Sequence, residues 1–543
     1  MTLPPVPTPP ALDFAAATRW PTQAAAHLLG AGLVLAVLVA LPAAPTDLDR
    51  HQLPKETVVH LVTWLAVLLA RPTPRGLRPA AIWALSLLIL VVIGSSLLAS
   101  NGWLALRAGS LILTGAAALV TARHIAASGS GQVLIGWCGV AGVVGAGTGL
   151  AQAYGLDSPL FATNRVPGGT FGNRNFMAHF SGLALPVLVL VTLSARRRLV
   201  AVVAMLGSGL LVAAIILSRS RAAWIGSGAG IAALVLVCVA ARRRHALALV
   251  RGRGTMLGVV IVAAVAAVIL LPNRLAWRSA SPYSDTLIGI ANHDEGSGHG
   301  RVLQYRNTVH LALRHPLVGI GPGNWPVRYA DVAPPTDPSW AFGDVVPINP
   351  WPSSDWMALF SELGGAGVLA AMLLGAAIAW RAIVAGRASG DRVLAGATLL
   401  ALLTVAFVEG NFDAVLLLPA PLLFVALSVG ALLQRSDGAF TEDTEAPRRT
   451  SRWAVVLPVL LGMVTLRSGL QTTAYAVAGT GRSIGRLAWA ARIDPGSYPI
   501  RIALAQRLNC TDARPDIVAA ARMAPRWPAS IAAARRCGVR LGR

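Results

Sequence analysis

Four arginine residues in two short segments are the side chains in this sequence best suited to bind a charged substrate. Arg219 and Arg221 lie in the motif SRSR that ends an apolar run, and Arg301 and Arg306 lie in a long polar stretch that follows later. Guanidinium groups form bidentate, charge-assisted hydrogen bonds with phosphate oxygens. These residues could therefore bind a phosphate group and stabilise negative charge on it. The alternative is that Arg219 and Arg221 are interfacial basic residues at a helix end and that Arg301 is an ordinary loop arginine.

Two further polar patterns border apolar runs. The segment GTFGNRN at 169–175 carries Asn173 and Asn175, and the segment SSDW at 353–356 precedes Glu362. Metal-binding spacings of histidine or cysteine are not found in the sequence, so we predict no metal and no cofactor.

The elements that position these residues are predicted to be transmembrane helices. The chain of 543 residues has a mean hydropathy of +0.63 and only 13% charged residues, about half the usual share in a soluble protein. Runs of about 20 apolar residues recur, and a run of this length in lipid must be helical. We predict about thirteen spans, near 22–42, 57–70, 80–99, 103–122, 132–152, 176–194, 199–217, 223–241, 255–271, 354–380, 392–408, 413–434 and 452–469.

The net charge of +23 indicates orientation rather than nucleic-acid binding. The basic residues cluster in every second loop between the predicted spans, and the positive-inside rule assigns these loops to the cytoplasm. The sequence therefore predicts a bacterial inner-membrane protein with its C-terminus outside the cytoplasm. The predicted domains are a cytoplasmic Pro-rich N-terminus (1–21), spans one to nine (22–271), a large periplasmic loop (272–352), spans ten to thirteen (353–469) and a periplasmic helical domain (470–543).

The predicted periplasmic domain holds two of the four cysteines, Cys510 and Cys537. An oxidising compartment favours a disulfide between them, because it would join two short helices. Short helices with recurring DP and AP breaks resemble degenerate tetratricopeptide repeats, which usually bind a partner or brace a neighbouring domain. A plain helical cap is the alternative.

Taken together, the four polar patterns resemble the superfamily of O-antigen ligases, Wzy-type polysaccharide polymerases and bacterial O-oligosaccharyltransferases. The resemblance covers roughly residues 160–430 and rests on the order of the patterns and on their common outer side. It implies a GT-C-like, all-α polytopic membrane glycosyltransferase that needs no metal. Such an enzyme moves a glycan from undecaprenyl pyrophosphate to an acceptor hydroxyl.

The resemblance also implies roles for individual residues. Arg221 and Arg301 take the places of the two family arginines, and we expect both to line one outer cavity with Asn173 and Asn175. Arg219, Arg306 and Glu362 are further candidates for substrate binding, although Glu362 could equally be a capped or paired buried acid.

One departure from the family concerns the proton acceptor. The family has a His-Asn pair where this sequence has Ser353-Ser354, and serine is not a base near neutral pH. Asp355 is the nearest carboxylate, so we predict that it accepts the proton, with a helix cap as the alternative. The missing histidine also leaves open a non-catalytic membrane scaffold of the same fold. A Wzy-type polymerase is a further alternative, because ligases and polymerases share these local patterns.

The predicted partners follow from the implied reaction. They are the undecaprenyl-pyrophosphate-linked glycan, membrane lipid and an acceptor glycan or lipid A core. A protein partner at the C-terminal domain is also predicted, and nucleic acid is not. The sequence identifies neither the sugar nor the acceptor.

Overall fold

The described part of the chain consists of helices that follow one another and are joined by turns and loops. The computed structural model describes residues 14–72, 79–241, 250–277, 279–289, 296–334, 337, 349–388, 390–437 and 453–540, and every longer regular element in these ranges is a helix. The helices are α1 (Phe14–Leu38), α2 (Asp47–Ala70), α3 (Pro79–Leu97), α4 (Gly102–Ile125), α5 (Gly131–Ala153), α6 (Arg174–Ser194), α7 (Arg198–Ser218), α8 (Arg221–Ala240), α9 (Thr255–Leu270), α10 (Pro282–Ile288), α11 (Gly296–Leu313), α12 (Trp325–Tyr329), α13 (Asp355–Gly386), α14 (Asp391–Gly410), α15 (Pro419–Asp437), α16 (Trp453–Ala478), α17 (Ile484–Ile493), α18 (Tyr498–Ala505), α19 (Cys510–Met523) and α20 (Pro528–Arg536).

Twelve helical segments in the described ranges are long and apolar enough to cross a membrane. One of them, 102–153, has 52 residues, and a straight helix of that length would be roughly 78 Å long, more than twice the bilayer core. Gly129, with φ of 92°, interrupts this segment between α4 and α5. Both halves pack against α15, so the segment turns back on itself. The prediction of an all-α polytopic membrane protein is confirmed.

Five predicted helix boundaries are wrong by six or more residues. Helix α1 begins at Phe14 rather than at 22, and α13 continues to Gly386 rather than ending at 380. Helix α2 begins at Asp47 rather than at 57, α15 begins at Pro419 rather than at 413, and α16 continues to Ala478 rather than ending at 469. The largest error, at α2, arises because polar residues fill its first turns. Most of these are buried and paired, so they do not end the helix as exposed charges would at the edge of an apolar run.

The polar start of α2 supports the loop that carries the motif GTFGNRN. Lys55 donates hydrogen bonds of 2.8–3.0 Å to three carbonyls at the end of α1, those of 36, 37 and 39. Arg50 donates to the carbonyls of 159 (2.7 Å) and 161 (2.9 Å). Arg107 on α4 neutralises Glu56 at 2.6 Å. These bonds hold the segment before α6 against α1 and α2.

The segment after α11 is hydrogen-bonded into a break in α13. Gly364 has φ of 66° and ψ of −169°, which interrupts α13 inside its membrane-spanning stretch. The backbone groups freed by the break bond to the loop: the N–H of Ile320 donates to Ser361 O (3.0 Å), and that of Gly365 donates to Pro316 O (2.7 Å). A side chain at Gly319 would lie only 2.3 Å from the backbone of Glu362. Irregular backbone at membrane depth is tolerated because protein, not lipid, satisfies it here.

Four short helices, α17–α20, follow the last span and rest on the loop. Their apolar cluster includes Ile502, Ile517 and Trp527. The indole of Trp527 donates to the carbonyl of Pro326 (2.9 Å), and Arg526 pairs with Asp331 (2.7 Å). The assignment of these helices as tetratricopeptide-like repeats stays a prediction.

The predicted disulfide between Cys510 and Cys537 is confirmed, with Cα atoms 5.0 Å apart. Replacing both cysteines with serine is expected to lower the stability of the tail by roughly 3 kcal/mol, because the bridge closes a loop of 27 residues. Limited proteolysis should then cleave the tail faster while the membrane-spanning part stays intact. Equal proteolysis rates for the variant and the parent would contradict this expectation.

Candidate functional site

A buried polar cluster surrounds Asp413, just beyond the end of α14. Asn175 donates a hydrogen bond to its carboxylate at 3.0 Å, and the Nε2 atom of His179 lies 3.6 Å from the same oxygen. The Nδ1 atom of His179 lies 3.2 Å from Glu409. The side chains of His179 and Glu409 are fully buried, whereas that of Asp413 is 15% exposed. The imidazole thus lies between two carboxylates, of which only that of Asp413 is partly exposed to solvent.

Helical spacing and close packing bring these side chains together. Asn175 and His179 are four residues apart on α6, so they share one face of that helix. Glu409 lies four residues before Asp413 and fits between α6 and α8. A side chain at Gly182 or Gly226 would lie 2.4 Å or 2.5 Å from Glu409. Small residues at these positions allow the helices to approach closely enough to enclose the carboxylate.

Arg301, at the start of α11, adds a positive charge to the outer side of this cluster. Burial raises the pKa of Asp413, but the nearby charge of His179, the charge of Arg301 and the hydrogen bond from Asn175 outweigh this effect, so the pKa is lowered. Asp413 is therefore ionised at neutral pH. Arg301 is also close enough to Arg221 for their charges to repel. Arg221 in turn donates a hydrogen bond to the carbonyl of Gly289.

Tyr305 joins α11 to the segments on either side of the cluster. Its hydroxyl lies 2.8 Å from the carbonyl oxygen of Ser353 and 2.7 Å from that of Asn411. Burial raises the pKa of Tyr305 to about 12, against the opposing effect of Arg301 and with a further rise from Asp413. The phenol therefore keeps its proton and holds α11 beside the turn that carries Asp413.

The two acids predicted from the tenth span both bind backbone N–H groups. Asp355 accepts hydrogen bonds from Val415 (2.9 Å) and Leu416 (2.8 Å), and Ser354 rather than Asp355 caps α13. Glu362 accepts from Gly323 (2.8 Å) and from Trp325 (3.2 Å). This geometry favours the paired-acid alternative for Glu362. For Asp355 it favours a role that neither sequence hypothesis included, which is to hold the turn 411–418 in place.

The other predicted residues lie in different surroundings. Asn173 caps α6 by accepting from the N–H of Asn175 (2.9 Å). Arg219 donates to Thr286 (2.9 Å) and lies 5.0 Å from the ring centroid of Trp277. Arg306 is five residues beyond Arg301 on α11, so it projects about 140° away around the helix axis. The structure thus brings Arg301 and Asn175 near Asp413, places Arg221 near Arg301, and puts Arg306 on another face of α11.

The sequence analysis did not identify His179 or Asp413 as site residues. The usable signal is the repeated spacing of four, from Asn175 to His179 and from Glu409 to Asp413, in spans otherwise nearly free of ionisable groups. Among the described residues, no group of three or more histidine, cysteine or acidic side chains is arranged to hold a metal ion.

Part of the chain matches the model of one known protein family. Residues 206–372, from α7 to the middle of α13, match the family model described as O-Antigen ligase. No curated protein matches the chain significantly. The matched range includes Arg219, Arg221, Arg301, Asp355 and Glu362, and it ends before Asp413.

Proposed function

We propose that this membrane protein, whose residues 206–372 belong to the O-antigen ligase family, transfers a glycan from undecaprenyl pyrophosphate to an acceptor hydroxyl. The family acts in lipopolysaccharide and polysaccharide assembly and is enzymatic. The donor, the acceptor and the site residues are our proposals. The site is proposed to face the periplasm from the inner membrane, as the basic loops on the other side suggest.

The observation that supports this function best is the proximity of three charges from distant parts of the chain. Arg221 begins α8, Arg301 lies in α11 and Asp413 follows α14, yet Arg301 acts electrostatically on both of the others. Two guanidinium groups held close enough to repel each other favour the binding of an anion between them or beside them. A pyrophosphate at the outer end of α8 would supply that anion.

The proposed reaction is a single displacement at the anomeric carbon of the donor. The acceptor oxygen forms a bond to this carbon while the bond from the carbon to the pyrophosphate oxygen breaks. Arg221 and Arg301 stabilise the charge that grows on the departing undecaprenyl pyrophosphate. The proton of the acceptor hydroxyl passes to Asp413, which we propose as the base in place of Asp355.

The charge of Arg301 links stabilisation of the leaving pyrophosphate to acceptance of the proton by Asp413. It lowers the pKa of Asp413 in the protein without substrate. A bound pyrophosphate would offset that positive charge and raise the pKa of Asp413, and a pKa nearer the working pH makes a better base. Asn175 and His179 would hold the carboxylate in position meanwhile.

A deletion strain tests this function directly. If the protein is a ligase, long lipid-linked glycan chains should accumulate, and lipopolysaccharide on a sizing gel should lose its long chains. Accumulation of single repeat units would instead identify a Wzy-type polymerase. A strain with unchanged glycans of every class would contradict the proposed transfer and favour a non-catalytic scaffold.

A further inference from the structure

A groove lies along α11 on a different face from Arg301. It has a volume of about 370 Å³, within the range of small-molecule sites. Its walls combine basic, amide and apolar side chains from α11 with two residues that follow α12: Leu303, Arg306, Asn307, His310, Arg314, Asp331 and Val332. None of these residues belongs to the cluster around Asp413.

Among the residues that the structure describes, the groups that line the groove carry a net positive charge that no further carboxylate neutralises. Its one carboxylate, Asp331, is already paired with Arg328 (2.9 Å) and with Arg526 from the tail (2.7 Å). Arg306 and Arg314 are exposed and have no ion pair with any residue that the structure describes. An anion bound here would therefore meet two available guanidinium groups, which suit phosphate and carboxylate oxygens.

One side chain that lines the groove, that of Asn307, is held in place by hydrogen bonds. The amide of Asn307 lies 3.3 Å from both the hydroxyl of Tyr329 and the carboxylate of Asp337, and Tyr329 donates to Asp337 at 2.8 Å. The indole of Trp325 donates to Thr308 (3.0 Å), which joins α12 to α11. Asn307 therefore loses little freedom when a ligand binds.

From this arrangement we infer that the groove binds an anionic sugar residue, one that carries phosphate or carboxylate. Leu303 and Val332 offer an apolar surface to the sugar ring, and the two arginines bind its charged group. The residue belongs to the donor glycan or to the acceptor. The inference rests on the proposed function for the presence of a glycan, but binding can be measured without transfer.

The test compares two double variants of the full chain in nanodiscs of phosphatidylcholine. Arg306→Gln with Arg314→Gln removes the groove cations, and Arg482→Gln with Arg492→Gln removes two exposed arginines of the tail. The probes are fluorescent maltohexaose and its phosphorylated form. The parent should bind the phosphorylated probe more tightly, the groove variant should bind it roughly tenfold more weakly, and the tail variant should match the parent.

Transfer assays then separate the two sources of the anionic residue. The groove variant should raise the KM of whichever substrate carries that residue, donor or acceptor, and leave kcat unchanged. Equal binding by the parent and the groove variant, equal weakening in both double variants, or no preference for phosphate would overturn the inference. Phosphate-selective binding by a parent that transfers no glycan would contradict the proposed function alone.

Discussion

Replacing Asp413 with asparagine is expected to lower glycan transfer by roughly 10²–10⁴-fold, the usual contribution of a general base. Asparagine can still accept the hydrogen bond from Asn175, so the turn should keep its position while the proton acceptor is lost. The rate of transfer should be measured with purified protein and a lipid-linked donor. Asp157→Asn, which removes an exposed acid from the loop between α5 and α6, is the matched control and should behave like the parent.

The pH profile separates a base from a merely structural acid. The pKa of Asp413 is lowered in the protein without substrate, so kcat/KM should persist at neutral pH and fall only as the pH drops through that low value. The acid limb of kcat should lie at higher pH, because bound pyrophosphate would raise the pKa of Asp413. Arg301→Gln removes one cause of the lowering, and its acid limb should therefore lie at higher pH. Near-normal transfer by Asp413→Asn together with loss of transfer in Asp355→Asn would restore the original hypothesis for Asp355.

Loss of either proposed phosphate-binding arginine is expected to have an effect of comparable size. Arg221→Gln and Arg301→Gln should each lower kcat/KM by roughly 10²–10³-fold, because each removes a donor aimed at developing charge. Lysine at either position should restore only part of the loss, since it keeps the charge but not the bidentate geometry. Arg482→Gln on the tail is the control.

A double-mutant cycle tests whether the two arginines share one ligand. Residues that act on a common group are not additive, so the double variant should lose clearly less than the product of the single losses. Losses that multiply to within about twofold would indicate independent roles, at odds with a common pyrophosphate.

The membrane-spanning architecture could be predicted because the bilayer restricts the choices. A run of about 20 apolar residues must become a helix in lipid, and most of the predicted spans correspond to helices. The disulfide was also predictable, because Cys510 and Cys537 are the two cysteines outside the predicted spans. These inferences need only local composition.

The contents of the site could not be predicted in the same way, because they depend on partners far apart in sequence. The charge of Glu56 ends the apolar run in the sequence, and only the packing shows that Arg107, 51 residues later, neutralises it inside the helix. His179 and Glu409 each resemble an isolated polar residue in an apolar span, and their pairing depends on how α6, α8 and α14 pack. Asp355 was assigned a chemical role from its position, whereas its two backbone hydrogen bonds indicate a supporting one.

The interrupted helix α13 has a consequence for engineering. The backbone N–H and C=O groups that the break at Gly364 leaves without helical partners form hydrogen bonds with the segment around Pro316 and Ile320. The carboxylate of Glu362 also accepts hydrogen bonds from the N–H groups of Gly323 and Trp325. The loop and α13 therefore form one hydrogen-bonded unit, and neither can be exchanged between proteins without the other. A chimera that exchanges 296–334 alone between two such proteins would leave unsatisfied backbone groups at membrane depth. Exchanges meant to move substrate preference should therefore carry 296–386 as a single block.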